Sequence, residues 1–170
     1  LVPPTRPPAT QETKLDSIAM RTLMSCDLNA TEPQTRAWRA AEIPAAGGIG
    51  NARSVGRIHS ALACHGTVDG VRILSPAGVD VILEEQTQGI DHVFGIPMRF
   101  GMGFGLNSEA FPISPNPRSF FWGGWGGSLA IIDLDARLTI SYVMNRMAAD
   151  LLGDLRGTRI AGATYLALNR

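Results

Sequence analysis

Hydrophobic and polar positions change their period several times along this chain, and each change marks an element. Residues 98–106 alternate Met98, Phe100, Met102, Phe104 and Leu106 with Arg99, Gly101, Gly103 and Gly105. Period two predicts a strand with one apolar face. Further on, Ser119-Phe120-Phe121-Trp122-Gly123-Gly124-Trp125-Gly126-Gly127-Ser128 runs into Leu129-Ala130-Ile131-Ile132. The turn-like Asp133-Leu134-Asp135-Ala136-Arg137 comes next, then a second apolar run over 138–144. This pattern predicts strand, Gly-rich bend, strand, turn, strand. Connections of hairpin length place the strands at 98–106, 120–122, 129–133 and 138–144 in one antiparallel sheet.

Helical spacing takes over elsewhere. Residues 13–25 carry Leu15, Ile18, Met20, Leu23 and Met24 at roughly helical intervals, which predicts a short helix. A loop over 29–34, interrupted by Pro33, follows. Residues 38–53 hold Pro44, Gly47, Gly48 and Gly50 among small side chains, a composition that excludes a helix interior and predicts a tight loop. Asn51 then suits a helix N-cap, with Val55, Ile58 and Leu62 on one face. That helix is expected to stop at Cys64-His65-Gly66, with Gly66 as a left-handed cap, and Asp69-Gly70 marks a turn. The next helix opens with Ser75 as cap and Pro76 as its first residue, and carries Val79, Ile82 and Leu83. Residues 107–117 read as a polar, proline-rich loop. The last helix is expected over 154–168 with Asp154 as cap; Leu155, Ile160, Ala163, Leu166 and Ala167 share one arc, broken by Arg156 and Arg159. Pro3-Pro4 and Pro7-Pro8 favour an extended connector, so the chain divides into a connector over 1–14 and one domain portion over 15–170.

Composition narrows the class. With 170 residues, 45% hydrophobic and 18% charged, the chain suits one globular domain rather than a disordered segment. Lys plus Arg and Asp plus Glu are 15 each, so charge offers no basis for binding nucleic acid or an anionic membrane surface. No apolar run approaches bilayer-spanning length. Cys26 and Cys64 build no disulfide framework and are most simply free thiols, though one bridge is compatible with the sequence. The chain begins Leu1-Val2-Pro3 with no signal-peptide pattern, so either an upstream segment was removed or this is one piece of a longer product. A cytoplasmic location is favoured on these grounds.

Two stretches carry a family resemblance. Trp122-Gly123-Gly124, the repeat Trp125-Gly126-Gly127-Ser128, and the strands ending Tyr142-Val143-Met144-Asn145-Arg146-Met147 resemble the third motif region of the family VIII carboxylesterases. These are serine esterases related to class C β-lactamases and penicillin-binding proteins. The matching position is Lys-Thr-Gly in the β-lactamases and commonly Trp-Gly-Gly or His-Gly-Gly in the esterases. Ala41-Glu42-Ile43-Pro44-Ala45-Ala46 is similar to a second stretch of the same family, although Gly47, Ile49 and Asn51 stand where Asn, His and Thr are usual. The resemblance runs from about Trp38 to the C-terminus. It implies an α/β fold of the α+β type, an antiparallel sheet covered by helices as in the serine β-lactamases and transpeptidases, of which this chain is the C-terminal part.

The same resemblance implies chemistry. In that superfamily a Ser attacks the acyl carbon while a Lys and a Tyr manage its proton, and a backbone N–H just after the third motif helps hold the oxyanion. Position by position, Trp122, Gly123 and Gly124 correspond to the substrate-binding motif and Trp125 supplies that N–H. Two explanations of the glycines stand side by side: a Cβ would crowd an acyl group lying along the strand, or the glycines relieve packing under the two indoles. An indole and a glycine in place of Lys and Thr offer an apolar wall and space. They favour a neutral, small-molecule ester over a carboxylate-bearing β-lactam.

Two motifs of the family are missing. No Ser in the chain is followed three residues later by Lys. The Tyr-x-Asn motif is missing as well, since Tyr142-Val143-Met144-Asn145 has one residue too many, and Tyr142 reads as a strand aromatic. The expectation is therefore the C-terminal half of a serine carboxylesterase, catalytically incomplete by itself, whose partner is the N-terminal half that carries those motifs. An acyltransferase on the same fold, or a truncated relative that binds without catalysing, is the alternative. Alone, such a half is expected to be prone to association, because its sheet and the helix faces around Val55 and Val79 would lack part of their covering. No cofactor is implied. His59, Cys64 and His65, with Asp69 nearby, match no established zinc spacing. Gly101-Met102-Gly103-Phe104-Gly105 lacks the context of a nucleotide loop. Asp133 and Asp135 read as turn residues rather than an acid–base pair.

Overall fold

The computed structural model describes residues 16–25 and 29–168. The connector expected over 1–14, its boundary at residue 15, and Cys26 all lie outside the described residues.

The N-terminal third is assembled from short, well-capped helices. α1 (Ile18–Leu23) is closed by the Ser17 hydroxyl, which accepts from the Met20 N–H at 3.2 Å. None of its residues is buried, so its local spacing makes a helix without anchoring it. Glu32–Gln34 is a 3₁₀ turn rather than open loop, with Pro33 in its first turn. α2 (Arg36–Ala40) takes in Trp38, Arg39 and Ala40, which were expected in the following loop, because the Thr35 hydroxyl caps the Trp38 N–H. α3 (Ala52–Ala63) starts where Asn51 predicts. The Asn51 side chain accepts from the Ser54 N–H and the Ser54 hydroxyl accepts from the Asn51 N–H, both at 3.0 Å. A reciprocal cap of this kind is worth about 1 kcal/mol.

α3 packs through Val55, Leu62 and Ala63, with Ala61 also buried, but Ile58 is 63% exposed. The contact is centred on Val55, His59, Leu62 and Ala63, which leaves Ile58 nearly a quarter-turn outside it. The helix ends at Cys64, with Gly66 at φ 91°, as expected. The Asp69-Gly70 turn joins β1 (Thr67–Val68) to β2 (Val71–Arg72), with both turn residues at positive φ as a tight hairpin demands. α4 (Pro76–Asp80), capped by Ser75, continues as a 3₁₀ turn over Val81–Leu83. It buries Val79 and Ile82, so the exposure expected around Val79 does not occur.

The main sheet has six antiparallel strands in chain order: β3 (Thr87–Ile90), β4 (Pro97–Phe100), β5 (Gly105–Leu106), β6 (Ser119–Gly123), β7 (Leu129–Asp133) and β8 (Leu138–Tyr142). β3 was not anticipated. All four of its residues are exposed, and an edge strand held by backbone pairing alone needs no alternation. The single strand expected over 98–106 is instead a hairpin, with β4 and β5 paired at Phe100 and Gly105 around a turn that leaves Met102 53% exposed. The glycines that preserved period two in the sequence are what allow the chain to fold back there.

Register sorts the side chains onto two faces. Phe120, Ile132 and Thr139 form one cross-strand row, as do Phe121, Ile131 and Ile140 on the other face. The first face packs on α3 and α4 through Leu62, Val79, Ile82 and Leu106. The second packs on α5 (Leu155–Leu168) through Ala161 and Tyr165. Phe120 and Phe121 are fully buried, each worth about 2–3 kcal/mol of burial. α5 does not use the arc expected of it. Gly157, Ala161 and Tyr165 face inward, while Leu155 and Leu166 are each 70% exposed. Small residues at 157 and 161 let the helix sit close to Leu129, which the larger side chains would prevent.

Beneath α5, Asp133 is fully buried. One carboxylate oxygen accepts from Ser114 Oγ at 2.8 Å, Asn116 Nδ2 at 2.9 Å and Tyr165 Oη at 2.9 Å, and the other accepts from the Ala136 N–H at 2.8 Å. The turn role expected of Asp133 is thus one bond of four. Among the described residues Asp135 accepts only from the Arg118 N–H. Burial raises the Asp133 pKa, but the four donors outweigh it and hold the carboxyl below its ordinary value. Burial, with the Asp133 charge alongside, pushes Tyr165 up to about 12.

Candidate functional site

The site grows out of the end of β6. Trp122 pairs with Ala130 and Gly123 with Leu129, and the chain then bends through 124–128 into β7. The bend has two internal hydrogen bonds, Gly124 N–H to Ser128 O at 3.0 Å and Gly127 N–H to Gly124 O at 3.1 Å. Gly126 and Gly127 have φ of 103° and 104°, a region that disfavours any residue with a Cβ.

The glycines have a packing cause that neither sequence explanation named. A Cβ on Gly123 would lie 2.6 Å from the Leu152 carbonyl carbon and 2.7 Å from the Gly153 nitrogen. A Cβ on Gly126 would meet Met144 and Met147, and one on Gly127 would overlap the Asp154 carboxylate. The segment between β8 and α5 therefore lies directly against the bend.

Trp122 is 37% exposed, with Phe94 and Phe100 at ring-centroid distances of 6.1 and 5.8 Å. Trp125 is equally exposed. Its N–H makes no hydrogen bond among the described residues.

Across from Trp122-Gly123-Gly124 stands the loop of residues 44–50. It is drawn tight by hydrogen bonds from the Ala46 and Gly47 N–H groups to the Ile43 carbonyl, at 3.1 and 2.6 Å. Between the two stretches lies a cleft of about 490 Å³, closed at its sides by Val55, His59, Phe104 and Tyr142. Trp122, Gly123 and Gly124 line it together, while Trp125 is one residue beyond its wall. Among the described residues, no Asp, Glu, Lys or Arg lines it. His59 Nδ1 donates to the Val55 carbonyl at 2.8 Å, and the ring meets Phe104 edge-on. Sequence reading had considered His59 only with Cys64 and His65. The structure sets it instead against Phe104, whose period-two position was the only signal of that neighbourhood.

A larger apolar groove of about 670 Å³ lies against the other face of the sheet, between α5 and residues 110–115. Of the polar side chains lining it, Ser114 and Tyr165 are committed to Asp133 and Thr158 donates to the Asp154 carbonyl. The cleft at Trp122 is therefore the better candidate for chemistry.

Comparison with known proteins gives the family. The Beta-lactamase family profile matches residues 3–164. The esterase/beta-lactamase LipL of Mycobacterium tuberculosis is 32% identical over 113 residues, which is 66% of this chain and 25% of LipL. The crystal structure of a family VIII carboxylesterase superposes with a TM-score of 0.77 at 40% identity, over 86% of this chain and 39% of that one. A penicillin-binding protein homologue from Caulobacter crescentus gives 0.72 at 37% identity, over 76% of this chain and 35% of its own. The chain thus spans well under half the length of each of these relatives.

Proposed function

Since the chain belongs to the Beta-lactamase family, we propose that it is the C-terminal part of a serine hydrolase that cleaves neutral carboxylic esters through an acyl-enzyme. The observation that carries this reading is the cleft. It brings Trp122-Gly123-Gly124 and the 44–50 loop, the two stretches that resemble the family VIII esterases, to opposite sides of one space free of charged side chains. A carboxylate-bearing substrate would find no cation there, whereas an uncharged acyl or alcohol group finds Trp122, Val55 and Phe104. The nucleophilic Ser, its Lys and a Tyr come, on this reading, from the N-terminal half of the enzyme. This chain contributes the wall and one oxyanion donor, the unpaired N–H of Trp125. Such a donor acts on charge that exists only in the transition state and is worth about 3 kcal/mol of barrier.

The test uses the enzyme assembled from this chain and its Ser-x-x-Lys-bearing half. Trp125→Pro removes the donor and is expected to lower kcat by at least tenfold, with the protein shown to be folded by circular dichroism. Trp122→Ala is expected to change which p-nitrophenyl esters are preferred and to leave the best kcat within a few-fold. Unchanged turnover in a folded Trp125→Pro enzyme rules the oxyanion assignment out.

A further inference from the structure

The second Gly-Gly pair, Gly126-Gly127, has no part in the chemistry proposed above, and its surroundings give it one. From the geometry we infer that Arg156, seated on Asp154, is a positioning residue that clamps the bend carrying the Trp125 N–H. This inference rests on the reading of that N–H as the oxyanion donor.

A bend built on two left-handed glycines and two internal hydrogen bonds is loose by itself, because glycine gives up more conformational freedom on ordering than any other residue. Its order is imposed from outside, at Gly126. The Gly126 N–H donates to the Asp150 carbonyl at 3.0 Å, and the Gly126 carbonyl accepts from the Ala148 N–H at 2.9 Å. Arg156 adds a side-chain tie. Its Nη2 donates to the same Gly126 carbonyl at 3.1 Å, and its Nη1 donates to the Arg146 carbonyl at 2.8 Å. One planar guanidinium therefore bridges the bend and the segment leaving β8.

The guanidinium is itself held. Nε lies 3.1 and 3.0 Å from the two Asp154 carboxylate oxygens, and Nη2 bonds one of them closely. The Asp154 carboxylate also accepts from the Arg156 N–H at 2.8 Å, the cap expected at the start of α5. The Asp154 side chain is only 7% exposed. The Arg156 guanidinium carbon sits 5.8 Å from the centre of the Tyr142 ring, which lines the cleft. Gly127 completes the seat, since a Cβ there would displace the Asp154 carboxylate and press on Arg156 Nη2. The Trp-Gly-Gly repeat thus divides its work: the first copy lines the cleft, and the second makes room for the clamp.

Fixing the N–H and the carbonyl of Gly126 anchors the two peptide planes that follow Trp125, and the Gly127 N–H, bonded to the Gly124 carbonyl, ties them to the plane that carries the Trp125 N–H. An oxyanion donor is effective in proportion to its preorganisation, and a displacement of about 1 Å costs on the order of a hundredfold in rate. Lysine is no substitute, because a point charge on a flexible stem does not reach two carbonyls while pairing side-on with a carboxylate.

Two measurements test the inference on Arg156→Gln and the milder Arg156→Lys, each checked for an unchanged circular dichroism spectrum. Hydrogen exchange followed by mass spectrometry on this chain is expected to show residues 124–128 exchanging at least tenfold faster in Arg156→Gln, with Arg156→Lys intermediate. In the enzyme assembled with its Ser-x-x-Lys half, kcat is expected to fall about tenfold with KM within twofold, because the donor acts only on the transition state. Unchanged exchange and unchanged kcat, with Trp125→Pro still lowering kcat, overturn the clamp. Faster exchange with kcat insensitive to both Arg156→Gln and Trp125→Pro leaves the clamp standing and removes the oxyanion assignment instead.

Discussion

Expressed alone, the 170-residue chain is expected to hydrolyse p-nitrophenyl esters no faster than background, and to gain burst-phase acylation when a polypeptide bearing the Ser-x-x-Lys and Tyr motifs is added. The cleft gives the physical ground. Among the described residues its hydroxyls are those of Ser128 and Tyr142, and no Lys lines it to take a proton from either. An otherwise whole protease stripped of its triad keeps roughly 10³–10⁴-fold over water from its complete oxyanion hole and binding site. This chain supplies only one wall and one donor, so its own residual acceleration is expected to fall to background. The same isolated chain is expected to self-associate, because Ile58, Leu155 and Leu166 are 63, 70 and 70% exposed. These are not the faces around Val55 and Val79 that hydrophobic spacing suggested, so solubility on adding the complementing half reports on α5 and the outer side of α3. Mass spectrometry for an acyl adduct decides the matter. An adduct on a serine of this chain in the absence of the other half would place the nucleophile here and end the two-part reading.

The largest effect on folding is expected at Asp133. Asp133→Ala leaves the half-buried Ser114 and Asn116 donors and the buried Tyr165 donor without their acceptor, at up to about 1–3 kcal/mol for each group left unpaired. Some re-pair with one another, so the net loss is expected to be about 3–5 kcal/mol, a large part of the roughly 5–15 kcal/mol that holds a domain of this size. Asp133→Asn keeps the shape but sets an NH₂ group against at least one donor, and is expected to cost about 2–3 kcal/mol. Urea denaturation of the two variants measures both.

The pH dependence has a definite sign. The folded carboxyl of Asp133 is held below its ordinary value of 3.8, so its contribution is complete above that pH and is lost as pH falls through the folded value. Wild-type Tm is therefore expected to drop steeply below about pH 4, and the Asp133→Asn profile to be flatter there. A Tm for Asp133→Asn equal to wild type at pH 7 would show that the carboxylate is not the hub of this network. Tyr165 works at the other extreme. Its folded pKa is pushed up to about 12, so its contribution is full below the ordinary value of 10.0 and fades as pH rises toward 12.

Local patterning determined most of the elements by itself. Asn51 and Ser75 announced α3 and α4, Asp69-Gly70 announced a turn, and β7, β8 and α5 fall within a residue or two of where spacing and caps put them. These are decisions a few neighbouring residues make, through caps, turns and alternation. The Trp-Gly-Gly repeat was legible too, as the residues that carry the family resemblance. Tertiary structure decided the rest. The 98–106 run kept perfect period two yet folds back on itself, because glycine preserves alternation while permitting reversal. β3 carries no pattern at all, since an exposed edge is held by its partner's backbone. α5 turned its small residues inward, because how closely a helix approaches a sheet is set by the surface it meets and not by its own wheel. The same limit applies at the site. That the 44–50 loop stands across from Trp122, and that Gly127 is glycine because the Asp154–Arg156 pair rests on it, are contacts between segments far apart in the chain, and local spacing does not encode which distant surface will fill a missing Cβ.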